Sequence, residues 1–514
     1  MPRRPAHSPL ASPLASALAL VAVVAAPRVA VASPLIETVG SVGGNAGEQG
    51  VVAGPGAAST YFNPALLIDA DSELLLAYVL VSEQVGITLQ GRPPGSDVPL
   101  AAGNRGSILV PNQSGSGLVP LPNSVVPTQW LQQGCAQATG QAQCTFAARP
   151  RQAQGSSGQT RSYLTIGLVK NLVRDRFTLG LYAMLPVSSF TTAQAFYADE
   201  REALFSNSLH PELYGDRLTA VSVVAGAAFK LLPGLSIGAS VSLGLANAAS
   251  SQDYVQDATN YNTLLLDNHV STTVNVSPTV GVKWDPTPWL RIGGAIHSPE
   301  SFTVNTTLDA SLPSGTESGT TQPNVFDWMP WSVGLGAQAE IVRRGAYVMS
   351  LVGSLQYSLW SAYQDRQGNS PSMYGPSLAW SDVASGALGT RVSYKNARGY
   401  LDLRYVPSPV PEQTGRSNYV DNDRFGVGLG GDVLLHLPAV VRPGIQLFAD
   451  RLVPRNNEKN PSQLVDELPD GAVYATSLAP VPGSKGLQTN NPGWPGFSSQ
   501  GWIWGAMVTI SIPL

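Results

Sequence analysis

Along most of the chain, apolar and polar residues alternate one for one. In "LSIGASVSLGL" (Leu235 to Leu245), Leu235, Ile237, Ala239, Val241, Leu243 and Leu245 share one face, and Ser236, Gly238, Ser240, Ser242 and Gly244 share the other. From Thr273 to Trp284 ("TVNVSPTVGVKW"), Val274, Val276, Val280, Val282 and Trp284 stand against Thr273, Asn275, Ser277, Thr279, Gly281 and Lys283. "SVGLGAQAEI" (Ser332 to Ile341) repeats the scheme. A period of two predicts β-strands whose faces meet different surroundings. The patterns run about 10 to 18 residues, longer than a globular strand and suited to tilted strands that cross a bilayer. The polar face is rich in small neutral residues, as where it lines a lumen or packs on a plug.

Between these patterns, short connections are expected at Val173 to Asp175, Leu232 to Gly234, Asp285 to Pro288, Arg343 to Gly345, Asn396 to Gly399 and Leu437 to Ala439. Long ones are expected at roughly 91 to 159, 191 to 214, 251 to 266, 309 to 325, 365 to 378, 408 to 419 and 456 to 498, which puts short turns at one rim and long loops at the other. The expected fold is all-β, a transmembrane antiparallel β-barrel of about 14 strands with both ends on the short-turn rim. Closure removes the exposed edges. The last stretch, "GWIWGAMVTISIPL" (Gly501 to Leu514), places Trp502 and Trp504 where an aromatic girdle meets the membrane interface, although Leu514 stands where such barrels usually end in an aromatic residue.

The beginning of the chain has a different texture. Arg3 and Arg4, the apolar run Leu14 to Ala26 and Ala30-Val31-Ala32 read as an export signal over residues 1–32. Pro27-Arg28 cuts the apolar run short of the about 20 residues a spanning helix needs. The glycine-rich stretch Val39 to Ser59 has almost no large side chains and suits backbone packed closely against something else. It leads to Asn63-Pro64, where regular structure stops or has yet to begin.

Charge narrows the classes further. Only 12% of the 514 residues are charged, about half the level of soluble domains, and the net charge is -4. Nothing in this balance points to nucleic acid. In an exported chain Cys135 and Cys144 are expected to form a disulfide closing a small loop, and no histidine lies nearby for a metal site. No Gly-x-Ser-x-Gly is present, and His210, His269, His297 and His436 are scattered, so an enzyme is not expected.

An exported start, a glycine-rich segment, "STYFNPALL" (Ser59 to Leu67) and then about fourteen strands together resemble the FadL family of outer-membrane transporters for long-chain fatty acids and other hydrophobic compounds, the TodX-like hydrocarbon transporters included. "LQYSLWSAY" (Leu355 to Tyr363) and "LRYVPSPVPEQTGRSNYVDNDRFGVGLGGD" (Leu403 to Asp432) are similar to family segments in the same order. The resemblance implies a hatch over residues 33–71 inside a barrel over residues 72–514, with Asn63, Pro64 and Ala65 in the hatch motif. It further implies passive transport by loop capture, hatch movement and lateral release, without cofactor or metal. A bacterial outer membrane with lipopolysaccharide, barrel assembly machinery, periplasmic termini and a monomeric state belong to the same expectation.

With a two-residue turn at Ala397-Arg398, Arg391 pairs with Arg404, both pointing inward, either as a contact for a cargo carboxylate or to neutralise Asp402, Asp432 or hatch acids such as Glu48. Lys283 and Glu340 are inward candidates as lumen charges near the short-turn rim. Trp130, Phe196, Tyr197, Phe205 and Tyr214 are candidates for a capture surface or for packing between loops. A water-filled porin is the alternative function and a lipolytic enzyme a third, but the long glycine-rich segment before the first strand argues against the porin.

Overall fold

The computed structural model describes residues 34–41, 47–90, 108–111, 118–120, 153–155, 159–187, 222–243, 248–256, 263–273, 276–311, 317–365, 368–374, 378–415, 418–436, 438–460, 473–474, 478 and 496–514. Fourteen long strands form one ring: β1 (Glu73–Leu89), β2 (Gln159–Val173), β3 (Phe177–Pro186), β4 (Ser222–Leu232), β5 (Leu235–Leu243), β6 (Val276–Thr287), β7 (Leu290–His297), β8 (Ser332–Arg344), β9 (Tyr347–Ser358), β10 (Val383–Tyr394), β11 (Ala397–Val406), β12 (Arg424–Val433), β13 (Val440–Glu458) and β14 (Gly496–Pro513). Each pairs antiparallel with the next, and β14 pairs with both β13 and β1. The ring is therefore closed, and the expected strand number is met.

Tight turns join the strands at one rim, at 174–176, 233–234, 288–289, 345–346 and 395–396. Gly234 (φ +78°) and Gly345 (φ +57°) take the left-handed backbone these turns require. All the long connections leave from strand ends at the other rim. Two regions expected as plain loops contain strands there. Ala248–Gln256, Thr263–Thr273, Glu300–Ser311 and Glu317–Met329 pair into a four-stranded antiparallel sheet drawn from the β5–β6 and β7–β8 connections. A smaller sheet pairs Ile108–Pro111 with Leu118–Pro120 and Val473–Tyr474, joining the first and last long connections.

The alternation read from the sequence sorts side chains as expected. Leu76, Tyr78 and Leu80 on β1, Leu335 on β8, Leu388 on β10 and Trp502, Trp504, Val508 and Ile510 on β14 face outward and are exposed, whereas their sequence neighbours face in. An apolar surface encircling the molecule would be unfavourable in water and is the lipid-facing wall of a membrane barrel.

The inside of the ring is occupied by the chain's own N-terminal region. Helix α1 (Pro34–Val39), the 3-10 turn Gly47–Val51, the short helix α2 (Ser59–Phe62) and the 3-10 turn Pro64–Asp69 follow one another before β1. Pro64–Asp69 packs on β3, β4, β5 and β6, and Gly47–Val51 packs on β7, β8, β9 and β10. Arg404 on β11 and Gln446 on β13 bond the carbonyls of Glu37, Thr38 and Val39. A segment that meets so many arcs of a closed ring lies within it. Its Ile36, Val39, Tyr61, Phe62, Leu67 and Ile68 share a buried core with wall residues such as Tyr163, Tyr182, Met184, Phe448 and Met507.

Candidate functional site

The lumenal segment and the wall around it form the candidate site, and Asn63 is its best-defined contact. Its backbone is extended (φ -157°), as the following proline demands, and Pro64 opens the 3-10 turn where a missing N–H leaves no bond unmade. The fully buried side chain makes three hydrogen bonds. Oδ1 accepts from the Ala65 N–H at 3.1 Å, while Nδ2 donates to the Val51 carbonyl at 2.7 Å and to the Val282 carbonyl of β6 at 3.0 Å. One amide thus caps a turn, ties two parts of the segment together and fastens both to the barrel.

The wall is shaped for this contact. A Cβ on Gly281 would stand 2.0 Å from Asn63 Oδ1, and one on Gly238 would stand 2.4 Å from the Pro64 carbonyl carbon and the Ala65 nitrogen. The small residues on the inner faces of β5 and β6 are what allow the segment's backbone to approach so closely.

Charged side chains of the wall hold both ends of the segment. Toward the short-turn rim, Asp69 accepts from Lys283 at 2.7 Å and from Arg291 at 2.5 Å, and Asp285 pairs with the same two cations at 2.9 and 3.1 Å. Glu340 pairs with Arg343 nearby. At the other end, Arg404 donates to both oxygens of Asp450, at 2.8 and 2.7 Å, and to the carbonyls of Glu37 and Thr38, each at 3.1 Å. These bonds close the C-terminal end of helix α1 from the wall.

The expected pairing of Arg391 with Arg404 is corrected. The turn falls on Lys395-Asn396, two residues earlier than Ala397-Arg398, so Arg391 stands opposite Tyr400 and Arg404 opposite Ala387. Both side chains do point inward. Each meets a carboxylate of the protein: Arg391 forms a two-pronged pair with Asp402 at 2.5 and 2.9 Å, and Arg404 meets Asp450, which the sequence reading did not single out.

Near the long-loop rim, Trp328, Trp360, Tyr363, Trp380 and Tyr419 pack together with Met329 and Val410. Tyr363 and Trp380 stack with centroids 3.6 Å apart, and Tyr419 stands edge-on to both. The segment from Ser408 to Arg424 folds back on itself here. The Ser408 N–H donates to Asp423 and its hydroxyl to Asp421, while Arg455 donates to the Val410 and Asp421 carbonyls. Trp328 and Trp380 escaped sequence reasoning, because only the assembled rim brings them beside Trp360 and Tyr363. Trp130, Phe196, Tyr197, Phe205, Tyr214, Cys135 and Cys144 lie outside the described residues, as does the export signal.

Several cavities flank the lumenal segment, two of them beside its charged contacts. One of about 300 Å³ toward the short-turn rim is lined by Gly54, Pro55, Arg291, Arg343, Arg391 and Tyr400. The other, about 60 Å³ and toward the long-loop rim, is lined by Glu37, Glu48, Gln356, Trp360, Arg404 and Arg424 among others. Among the described residues no group of His, Cys, Asp and Glu side chains is arranged to hold a metal ion.

No family model and no curated protein matches the chain. Among solved structures it is similar to a Pseudomonas aeruginosa FadL homologue, at 14% identity over 95% of this chain and 98% of that one, with a TM-score of 0.48. It is also similar to the P. putida toluene transporter TodX, at 11% identity over 92% and 99% of the two chains and a TM-score of 0.41. CymD, a monoaromatic hydrocarbon channel, is similar at 11% identity over 94% and 98%, with a TM-score of 0.42.

Proposed function

We propose that this protein sits in an outer membrane and passes hydrophobic molecules across it without an energy source, long-chain fatty acids foremost. The observation that carries this reading is a closed barrel whose lumen is packed with an apolar-cored segment of its own chain. A general porin requires an open, water-filled lumen, and here Tyr61, Phe62 and Leu67 lie buried within the ring. A hydrophobic cargo gains about 0.8 kcal/mol for each methylene removed from water, so capture needs a route and no chemical step.

In this reading the long-loop rim faces outward and the short-turn rim faces the periplasm. The aromatic group around Trp360 and Trp380 lies on the capture side, together with the loops that carry Trp130, Phe196, Tyr197, Phe205 and Tyr214. Residues 33–71 act as the hatch, with Asn63, Pro64 and Ala65 as its fastening, and the cargo leaves sideways through the wall of a single barrel. A cargo carboxylate reaching Arg391 or Arg404 would share a guanidinium already bonded to Asp402 or Asp450.

The test compares uptake of labelled oleate and toluene by cells lacking their own transporter, with wild-type protein and with a variant deleted from Ser33 to Asn63, both verified in the outer membrane. Wild-type uptake of oleate while small sugars stay excluded is expected. Wild-type permeability to sugars with no uptake of either hydrophobic probe would overturn the reading in favour of a porin.

A further inference from the structure

Two carboxyls of the lumenal segment, Glu37 and Glu48, stand apart from the ion pairs at the short-turn rim, although Gln356 on β9 donates a hydrogen bond to Glu37. They come from adjoining backbone: a Cβ on Gly47 would lie 2.4 Å from the Glu37 carbonyl oxygen. Both side chains line the small cavity toward the long-loop rim. Tyr61 donates its hydroxyl to Glu37 at 3.3 Å, whereas Glu48 Oε2 is buried with no hydrogen-bond partner. A buried carboxylate oxygen left without a donor is unfavourable, and a proton on the group removes most of that penalty.

The surrounding charges point the same way. Arg404 on β11 is the nearest strong cation, but its donors are engaged by Asp450 on β13 and by the Glu37 and Thr38 carbonyls. Arg424 on β12 and Asp421 beside it complete the ionised lining, and Gln356 on β9 is neutral. Near Tyr61, His297 on β7 lies at 5.4 Å between ring centroids and Glu300 contributes a further negative charge. Glu37, Glu48, Asp450 and Asp421 are thus set against the guanidiniums of Arg404 and Arg424, with Arg455 on β13 donating to the Asp421 carbonyl. With every acid ionised the enclosure carries an excess of negative charge.

We propose that Glu37 and Glu48 hold a proton that keeps the lumenal segment seated, and that losing this proton loosens the segment from the wall. The proposal concerns the hold of the segment and does not depend on which cargo crosses. Burial, and after it the charge of Glu48, pushes the Glu37 carboxyl up to about 7, and burial raises Glu48 as well. A group with a raised value in the seated state keeps a proton that the released state gives up. Seating is therefore strongest at acid pH, weakens as pH rises from about 4.5 to about 7, and levels off above that.

The experiment is hydrogen–deuterium exchange of the full-length protein in lipid nanodiscs from pH 5 to 8.5, corrected for the intrinsic pH dependence of exchange. Amides of residues 34–41 and 47–62 are expected to lose about tenfold or more in protection between pH 5 and 7.5 and little beyond, while the strand amides hold constant. In Glu37→Gln and in Glu48→Gln the loss should shrink, and in the double variant it should disappear, with protection high throughout. The same pH trend in wild type and every variant, or no trend in wild type with the strands intact, would overturn the proposal.

Discussion

Asn63 shows what a single side chain can decide in this protein. Replacing it with alanine removes three hydrogen bonds, and each buried group left without a partner costs about 1–3 kcal/mol. Asn63→Ala is expected to raise the protease sensitivity of residues 47–69 while the barrel keeps its heat-modifiable mobility on a gel. Gly281→Ala should act from the other side of the same contact, because its Cβ would intrude on the Asn63 amide. Combining the two should be milder than adding their separate effects, since the second substitution removes what the first collides with. Strict additivity would show that the close approach is not what fixes glycine at 281.

Among the elements, the strands were largely legible in the sequence and the contents of the lumen only partly so. The faces of β5, β6, β8 and β14 follow directly from period-two patterns, because a residue on the wrong side would put a polar group in lipid or a leucine against the segment. The β10–β11 register was less legible. The expected connection runs from Asn396 to Gly399, but the turn uses Lys395, a non-glycine residue at φ +52°, and Gly399 instead lies in the ladder opposite Gly431. Asn63-Pro64 signalled a break in regular structure, but its hydrogen-bond partner on β6, the Val282 carbonyl, lies 219 residues away. Asp450 was invisible as the partner of Arg404 because a two-pronged pair across non-adjacent strands leaves no local pattern.

That pair carries the prediction that belongs to elements. Arg404→Met strands Asp450, only 1% exposed, along with two carbonyls of helix α1. Breaking a buried pair from one side costs about 3–5 kcal/mol, so helix α1 should lose its exchange protection. Arg343→Ala removes a pair at the exposed rim and should leave the segment and the barrel as they were. Equal effects of the two substitutions would contradict the roles assigned to them.

At the scale of the whole molecule, the packed lumen predicts electrical silence. Wild-type protein in planar bilayers should conduct little, and deleting residues 34–63 should produce a steady conductance through an otherwise intact ring. A wild-type channel as conductive as the deletion would mean that the segment does not block the lumen. The enclosed charges near Glu37 and the clasp at Asp69 become relevant only because the ring is complete, since an open sheet would leave both to water.

The position of β14 in the ring also has a consequence for how the molecule comes into being. The ladder that completes the cylinder brings Glu73 and Ser511 together across 438 residues of chain, and Arg404 and Gln446 reach back 366 and 407 residues to the start of the described chain. Contacts of such long range are made late, after the entropy of a very large loop has been overcome. Until then β1 and β13 have bare edges open to any other strand. The earliest stretch of the chain must therefore wait for the latest, and enclosure of the cylinder and occupation of its interior form one terminal event in biogenesis.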